Sequence, residues 1–466
     1  MGTGPLPAPG VSGTPGVGQG VRGAALPPGE GGPRVDLTDP GVFGAGVPHE
    51  EFARLRREDP VSWTPEPHGR GFWSVTRYSD VVTVHREVGT YSSQVGATAL
   101  EDLEPDALAA RASMLDLDPP EHTRLRRTVA PEFTRRSVGG YRTRVQDVVR
   151  QVLAEVLPSG GETVEFEAVS RVATTIPIRV LCQVLGVPEK DEPLLIELGD
   201  RMIGNTDPDL AQVLLDSQES DAYRLLPFRS PAALQMHAYG RELAVRKQRD
   251  PGSDLVTALV QGRAPGTPRL AGAEFDAMFL LLVVAGNETT RSALALGLQA
   301  FAEYPDQWDL LAARVEAGDP EAIAAAAEEV LRWTTPLHHF RRTATRDTEL
   351  AGQVIAAEDK VVVWYPSANR DGTVFTDPDR FDVTRTPNQH VSFGRGGPHR
   401  CLGEHLARLE IQVVLEELLP RVVRFEVAGP VRRVRSNFVH GLKSLPLRAV
   451  PRRPTDPLTS HLGSRP

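Results

Sequence analysis

Only two cysteines, Cys182 and Cys401, occur among 466 residues, so a disulfide scaffold is excluded and a reducing compartment fits. Basic residues are also in deficit. The 52 Lys and Arg stand against 61 Asp and Glu, a net charge of −9 that gives general nucleic-acid binding no support. No apolar run reaches the roughly 18 residues of a membrane span, and the longest candidate, Met278 to Ala285, is ended by Asn287 and Glu288. No charged segment followed by an apolar core marks a secretory leader. These absences predict a cytoplasmic protein without a membrane anchor. Internal repeats and linkers are missing too, and 40% hydrophobic residues are ample for one large core, so a single domain is expected over residues 35–450. Residues 1–34 are rich in Gly and Pro, carry their first basic residue at Arg22 and are expected to be disordered, with a flexible tail at 451–466.

What is present reads as a mainly α chain with a smaller β-rich part. Val47 to Glu58 and Ser79 to Arg86 have helical spacing, and Phe72 to Val75 suits a short strand. Tyr91 to Leu117 is polar and aperiodic, the character of a mobile loop. Ala273 to Tyr304 reads as one helix of about thirty residues, ended by Pro305 and longer than the usual globular range. Asp347 to Val363 alternates as paired strands do, and Arg432 to Val450 suggests a further hairpin.

Cys401 is the most informative residue. It ends the glycine-rich run Phe393-Gly394-Arg395-Gly396-Gly397-Pro398-His399-Arg400-Cys401, and the apolar spacing of Leu402, Leu406, Leu409 and Val413 then predicts a helix. A thiolate at a helix N-terminus meets the positive end of the macrodipole and free amide N–H groups. Glycines let the backbone approach a flat ligand and turn its N–H groups toward sulfur. One thiolate without a second cysteine or a histidine set is wrong for zinc or an iron–sulfur cluster and suits the axial ligand of a haem. An arbitrary cysteine is more often a buried apolar side chain, as Cys182 is expected to be. Three upstream segments weigh against that role for Cys401. They are Ala285-Gly286-Asn287-Glu288-Thr289-Thr290, with an acid and alcohols inside the long apolar helix; Glu329-Val330-Leu331-Arg332, with opposite charges at i and i+3; and Pro378-Asp379-Arg380-Phe381. With the cysteine loop, and in this order, they resemble the cytochrome P-450 superfamily of haem-thiolate monooxygenases from about Val35 to Val450.

The resemblance implies that superfamily's fold, a triangular prism with haem between the long central helix and the cysteine-loop helix. It implies haem b with Cys401 as axial thiolate, dioxygen as co-substrate, and electrons originating in NAD(P)H that pass through a ferredoxin reductase and a ferredoxin. Glu288 and Thr289 are the expected catalytic pair for delivering protons to dioxygen, since a carboxylate and a hydroxyl inside an apolar helix need such a reason. Gly286 would leave space for oxygen, and Phe393 belongs to the haem loop. His122, Arg126, Arg342 and His399 are candidates for the two propionates, which require basic donors. Glu329 and Arg332, with Arg380 as an expected third member, form a structural network rather than a catalytic one. Arg124, Arg126, Arg127, Arg135 and Arg136, with Arg395 and Arg400, would face an acidic ferredoxin on the thiolate side.

Seven residues separate Phe393 from Cys401, where the commonest family pattern has six. That extra residue, with Gly286 to Arg291, Ala368 to Asp371 and Arg435 to Gly441, is similar to the actinobacterial branch containing steroid side-chain and methyl-branched lipid hydroxylases. A large apolar substrate is the implied class. The expected pocket residues are Leu282, Val283, Ala285, His338, Phe438 and Val439. A histidine facing the pocket would instead favour tailoring of an amino acid, free or carrier-protein-bound, and the same oxidant serves desaturation or oxidative coupling. A haem protein that binds without turnover is the contrasting class, against which Glu288 and Thr289 speak.

Overall fold

A single helix, Gly272–Glu303, runs through the molecule, and its composition accounts for its place. Apolar residues occupy every side of it rather than one stripe, so it is stable only when enclosed by other elements. Phe275, Met278, Leu280, Val284, Leu294 and Phe301 are all buried. Pro305, which has no amide hydrogen to continue the ladder, opens the next helix, Pro305–Glu316. The computed structural model describes residues 32–67, 69–157, 162–262 and 269–453, together with Leu458. The expected N-terminal extension and C-terminal tail lie almost wholly outside these residues. Among them, no helix is long and apolar enough to cross a membrane.

Helices Thr175–Leu185, Glu192–Ile203, Ala232–Arg249, Ala322–Thr334 and Glu404–Leu418 pack against the central helix. Strands follow in chain order as β1 (Val61–Thr64), β2 (Phe72–Val75), β3 (Tyr91–Ser92), β4 (Val164–Glu167), β5 (His339–Ala344), β6 (Thr348–Leu350), β7 (Gln353–Ile355), β8 (Lys360–Trp364), β9 (Val422–Val427), β10 (Arg432–Arg433), β11 (Leu442–Ser444) and β12 (Pro446–Pro451). The main sheet has the order β1-β2-β8-β5-β3, parallel only between β2 and β8. Smaller sheets are β4-β12-β9, β6-β7 and β10-β11. The architecture is the expected one, mainly α with a smaller β part.

Three local expectations need correcting. The hairpin expected over Arg432 to Val450 is divided: β10 pairs with β11, whereas β12 joins β4 and β9. Pro446, at the head of β12, cannot donate to a ladder, and the chain changes sheets there. The segment expected as a mobile loop, Tyr91 to Leu117, contains β3, the helix Pro105–Arg111 and a helical turn at Met114–Asp116. Two carboxylates organise it. Asp116 accepts from the amides of Ala97 and Ser113, and Asp118 accepts from Ser92 Oγ and the Ser93 amide. Hydrophobic periodicity carries no trace of such side-chain-to-backbone bonds.

The third correction concerns the buried ion pair. Glu329 and Arg332 are fully buried and joined at 2.8 Å, as their spacing requires. Arg380 was expected as the third member, but its side chain is exposed and it contributes only its carbonyl, 3.0 Å from Arg332 Nη2. The third charge is Arg385, whose Nε lies 3.2 Å from Glu329 Oε2. Arg332 also donates to the carbonyls of Asn369 and Pro378, while Glu329 accepts from the Asp382 amide and Asn388 Nδ2. Every charged atom in the group has a partner, the condition under which burying it is tolerable. Removing one partner strands a buried charge, so Glu329→Ala should lower stability by about 3–5 kcal/mol. Arg380→Ala should stay within about 0.5 kcal/mol of wild type. Urea unfolding of the two variants checks the contrast, and equal losses would contradict the assignment of Arg385.

Candidate functional site

The buried network reaches the cysteine loop through Asn369. Its Oδ1 accepts from the Val391 amide at 2.8 Å, and its Nδ2 donates to Ser392 Oγ at 2.8 Å and Thr335 Oγ1 at 2.9 Å. Ser392 Oγ in turn donates to the Leu331 carbonyl of the Glu329 helix. The chain then turns through Gly394 (φ 67°) and Gly396 (φ 99°), left-handed conformations that favour glycine. Gly397 is required for a different reason, because a Cβ there would lie 2.0 Å from the carbonyl oxygen of His85. The Cys401 amide donates to the Phe393 carbonyl at 2.8 Å and closes the loop. Glu404–Leu418 begins three residues later, so Cys401 stands just outside the helix. The half-buried Phe393 ring packs under Arg408, whose guanidinium carbon is 4.6 Å from its centroid.

Cys401 is exposed, and the loop that carries it is half-buried to exposed. Burial pushes the thiol up to about 11, against which the Gly403 amide and the charges of Arg126 and Arg408 act. A thiolate there needs a cation beside it.

Four basic side chains surround this loop. The rings of His122 and His399 are 4.3 Å apart, and His399 Nε2 meets Ser93 Oγ at 3.2 Å. Both Nδ1 atoms are buried without a partner, as is Arg342 Nε, while Arg342 Nη1 donates to the Arg341 carbonyl. Arg126 feels the charges of Cys401 and Glu404, but among the described residues neither it nor Arg342 forms an ion pair. Burial lowers the pKa of all four groups. The histidines are thereby held neutral, but the two arginines stay charged, and a guanidinium in such a place without a paired carboxylate is costly, so this set is chemically incomplete. A flat cofactor carrying two carboxylates and a thiolate-seeking iron supplies the charges it lacks, and the residues present therefore fit a haem.

The central helix shows a second opening. Ala285 is exposed, and Ala277, Leu281, Gly286 and Thr289 are partly exposed, in the middle of an otherwise buried helix. Positions four apart share a face, so Ala277, Leu281, Ala285 and Thr289 form one stripe. Leu282 and Val283, expected in the pocket, are buried at 8% and 1% exposure and point into helix packing. The sequence reading missed Leu281 because an all-round apolar helix has no moment to set the phase. Thr289 Oγ1 donates to the Ala285 carbonyl at 2.8 Å, leaving its lone pairs free. A Cβ on Gly286 would meet Leu181 Cδ1 at 3.0 Å, so that glycine also lets the Thr175–Leu185 helix approach.

Glu288 points elsewhere. Its carboxylate accepts from Asn287 Nδ2 at 3.0 Å and lies 3.4 Å from Arg291, which pairs with Asp200 at 2.5 Å. Asp200 is 26% exposed, so this chain of charges leads from the core to solvent. Asp200 lay outside the sequence reading, which named Arg291 only as the end of the Gly286 to Arg291 motif and gave it no role.

His338 is enclosed. Its ring lies tilted against Phe43 at 4.6 Å and stacked on His440 at 5.1 Å, with 1% exposure. His339 is equally buried against Trp364 and Phe438. The expectation that His338 faces the pocket is therefore corrected. Val439 is likewise closed off by its bridge to Leu337, whereas Phe438, Phe340 and Leu337 retain surface.

Burial raises the Glu288 carboxyl above the usual range, opposed by Arg291 and reinforced by Asp200. A folded pKa above the unfolded value means that its stabilising contribution is complete below the unfolded pKa and is lost as pH rises through the folded one. Glu288→Gln cannot titrate. Its stability relative to wild type should therefore improve from pH 4 to pH 8 in denaturant titrations, and a difference that stays flat or worsens would count against this environment.

The sequence signature of the cytochrome P450 family is matched over residues 321–439. A linalool 8-monooxygenase from Pseudomonas putida is 37% identical over 432 residues, covering 90% of this chain and 100% of the relative. A steroid C26-monooxygenase from Mycobacterium tuberculosis is 35% identical over 434 residues, covering 90% of this chain and 92% of the relative. A solved cytochrome P450 structure from Mycobacterium marinum, in complex with pseudoionone, matches with a TM-score of 0.79 at 36% identity, over 91% of this chain and 100% of the other.

Proposed function

The chain belongs to the cytochrome P450 family of haem-thiolate monooxygenases, and from that premise we propose that Cys401 ligates the haem iron and that the substrate is a largely apolar terpenoid-, steroid- or lipid-like molecule hydroxylated at an unactivated C–H bond. The observation that carries the site assignment is the gathering of His122, Arg126, Arg342 and His399 around a lone thiol, with buried unpartnered nitrogens on both histidines and on Arg342 and no ion pair to either arginine among the described residues. Those four hold the propionates, and the loop Phe393 to Cys401 seats the macrocycle. When bound, haem supplies the activation of dioxygen, which is the cofactor's own chemistry.

The protein's residues orient and exclude. Leu281, Ala285 and Phe438, with Leu337 and Phe340, offer an apolar lining that favours an apolar substrate over water. Thr289 presents a hydroxyl whose lone pairs are free to accept while its proton is held by the Ala285 carbonyl. Glu288, biased by burial toward its protonated form, stores a proton on the side that Asp200 connects to solvent. A polar or carrier-bound amino acid loses its main support, since it depended on a pocket-facing histidine and both His338 and His339 are enclosed.

Electrons come from a redox partner, which we take to be a ferredoxin reduced in turn by an NAD(P)H-dependent reductase. The basic face that supports this is narrower than the sequence suggested. Arg124 is paired with Glu121 and Glu274, and Arg400 with Glu404, which leaves Arg127, Arg135, Arg136 and Arg395 exposed.

Optical titration of the ferric protein tests the substrate class. Terpenoid alcohols, steroids and long-chain lipids should include a member that drives a high-spin shift, while free or carrier-bound amino acids leave the spectrum unchanged. The reverse pattern would overturn the apolar assignment. Arg342→Ala should lose a charge-assisted contact worth about 1.5–3 kcal/mol, so haem should pass to an apomyoglobin acceptor roughly 10- to 100-fold faster than from wild type. Unchanged transfer would contradict the propionate role.

A further inference from the structure

A tyrosine and a histidine pack against the glycine loop and have no part in the chemistry described so far. Tyr365 follows β8 directly, and its amide donates to the His338 carbonyl at 2.9 Å, so the sheet fixes its backbone. Its hydroxyl lies 2.9 Å from His85 Nε2, and the two rings stack with centroids 5.5 Å apart and planes 12° from parallel. Both side chains are buried. His85 stands in the last turn of the helix Tyr78–Arg86, 280 residues away in sequence. Burial raises the Tyr365 hydroxyl and lowers the His85 imidazole to about 3, so both are neutral and a single hydrogen bond joins Oη to Nε2.

Each partner also touches the loop. The carbonyl of His85 is the atom that forbids a side chain at Gly397. In the same helix, Val82 Cγ1 would lie 3.3 Å from a Cβ on Gly396, and Tyr365 Oη 3.9 Å from one on Gly394. The end of a helix and the end of a strand thus bear on Gly394 to Gly397, and one buried hydrogen bond joins those two ends. On the far side of the loop, the Gly403 amide acts on the Cys401 sulfur.

We propose that Tyr365 is a positioning residue for the Cys401 thiolate, acting through His85 to press the helix end against Gly397 and so to hold the loop that places the sulfur against the Gly403 amide. The proposal rests on the reading of Cys401 as the iron ligand. Tyr365→Phe keeps the ring and deletes the hydroxyl, leaving His85 Nε2 buried and unpaired. The helix end is then free to draw back from Gly397, and N–H donation to sulfur weakens. A thiolate with weaker hydrogen bonds donates more electron density to iron, which lowers the reduction potential, and it takes up a proton more readily.

The test compares wild type, Tyr365→Phe and His85→Gln as haem-loaded proteins. Glutamine keeps an acceptor for the Tyr365 hydroxyl. Spectroelectrochemistry reads the ferric–ferrous midpoint potential, and repeated spectra of the ferrous carbon monoxide complex read the rate at which thiolate ligation gives way to thiol ligation. Tyr365→Phe should show a lower midpoint potential and a several-fold faster conversion, with His85→Gln lying between it and wild type. A Tyr365→Phe variant that loses only melting temperature, with potential and conversion rate at wild-type values, would overturn the proposal. Absence of thiolate-ligated haem from wild type would instead remove the ligation reading beneath it.

Discussion

Uncompensated positive charge is the constraint around which this molecule is built. Folding gathers Arg126, Arg342, His122 and His399 near one thiol, and among the described residues no carboxylate forms an ion pair with either arginine. A chain with a large apolar core can sustain such a debt only if a ligand discharges it. The same region asks for a cation at Cys401, whose thiol resists ionisation. A dianionic cofactor with an iron at its centre meets both demands at once, which is why the charge pattern says more about the cofactor than any single residue does.

Much of the remaining structure holds that region still. The Glu329–Arg332–Arg385 group has every charge satisfied, and it bonds the backbone at Asn369, Pro378 and Arg380. Asn369 carries that rigidity to Val391 and Ser392, and from there the chain enters the glycine loop. Rigidity on this side contrasts with the central helix, where small and apolar residues leave room. Ala285 and Thr289 retain surface there.

Chemistry tied to local spacing was legible in the sequence, and chemistry tied to tertiary phase was not. The loop from Phe393 to Cys401, the buried pair at i and i+3 and the extent of the central helix follow from short-range rules, and the helix bounds agree to one residue at each end. Leu282 and Val283 were assigned to the pocket in place of Leu281 because a helix apolar on all sides gives no clue to which face meets a cavity. Arg380 was chosen over Arg385 because both lie in an irregular segment, where only folding decides which guanidinium turns inward. His338 was assigned to the pocket, yet rings of Phe43 and His440 enclose it, and its neighbour His339 is enclosed by Trp364 and Phe438. The role of Asp200 depends on a helix about 90 residues from Arg291 in sequence, a separation that pattern reading does not cross.

The most direct test is the carbon monoxide difference spectrum of the reduced protein, recorded for wild type and for Cys401→Ser at equal haem content. The account predicts the red-shifted Soret band of thiolate ligation in wild type and its loss in the variant, with Arg126, Arg342 and the two histidines still retaining haem. The same band in both proteins, or no haem in purified wild type, would contradict the assignment of Cys401 on which the rest depends.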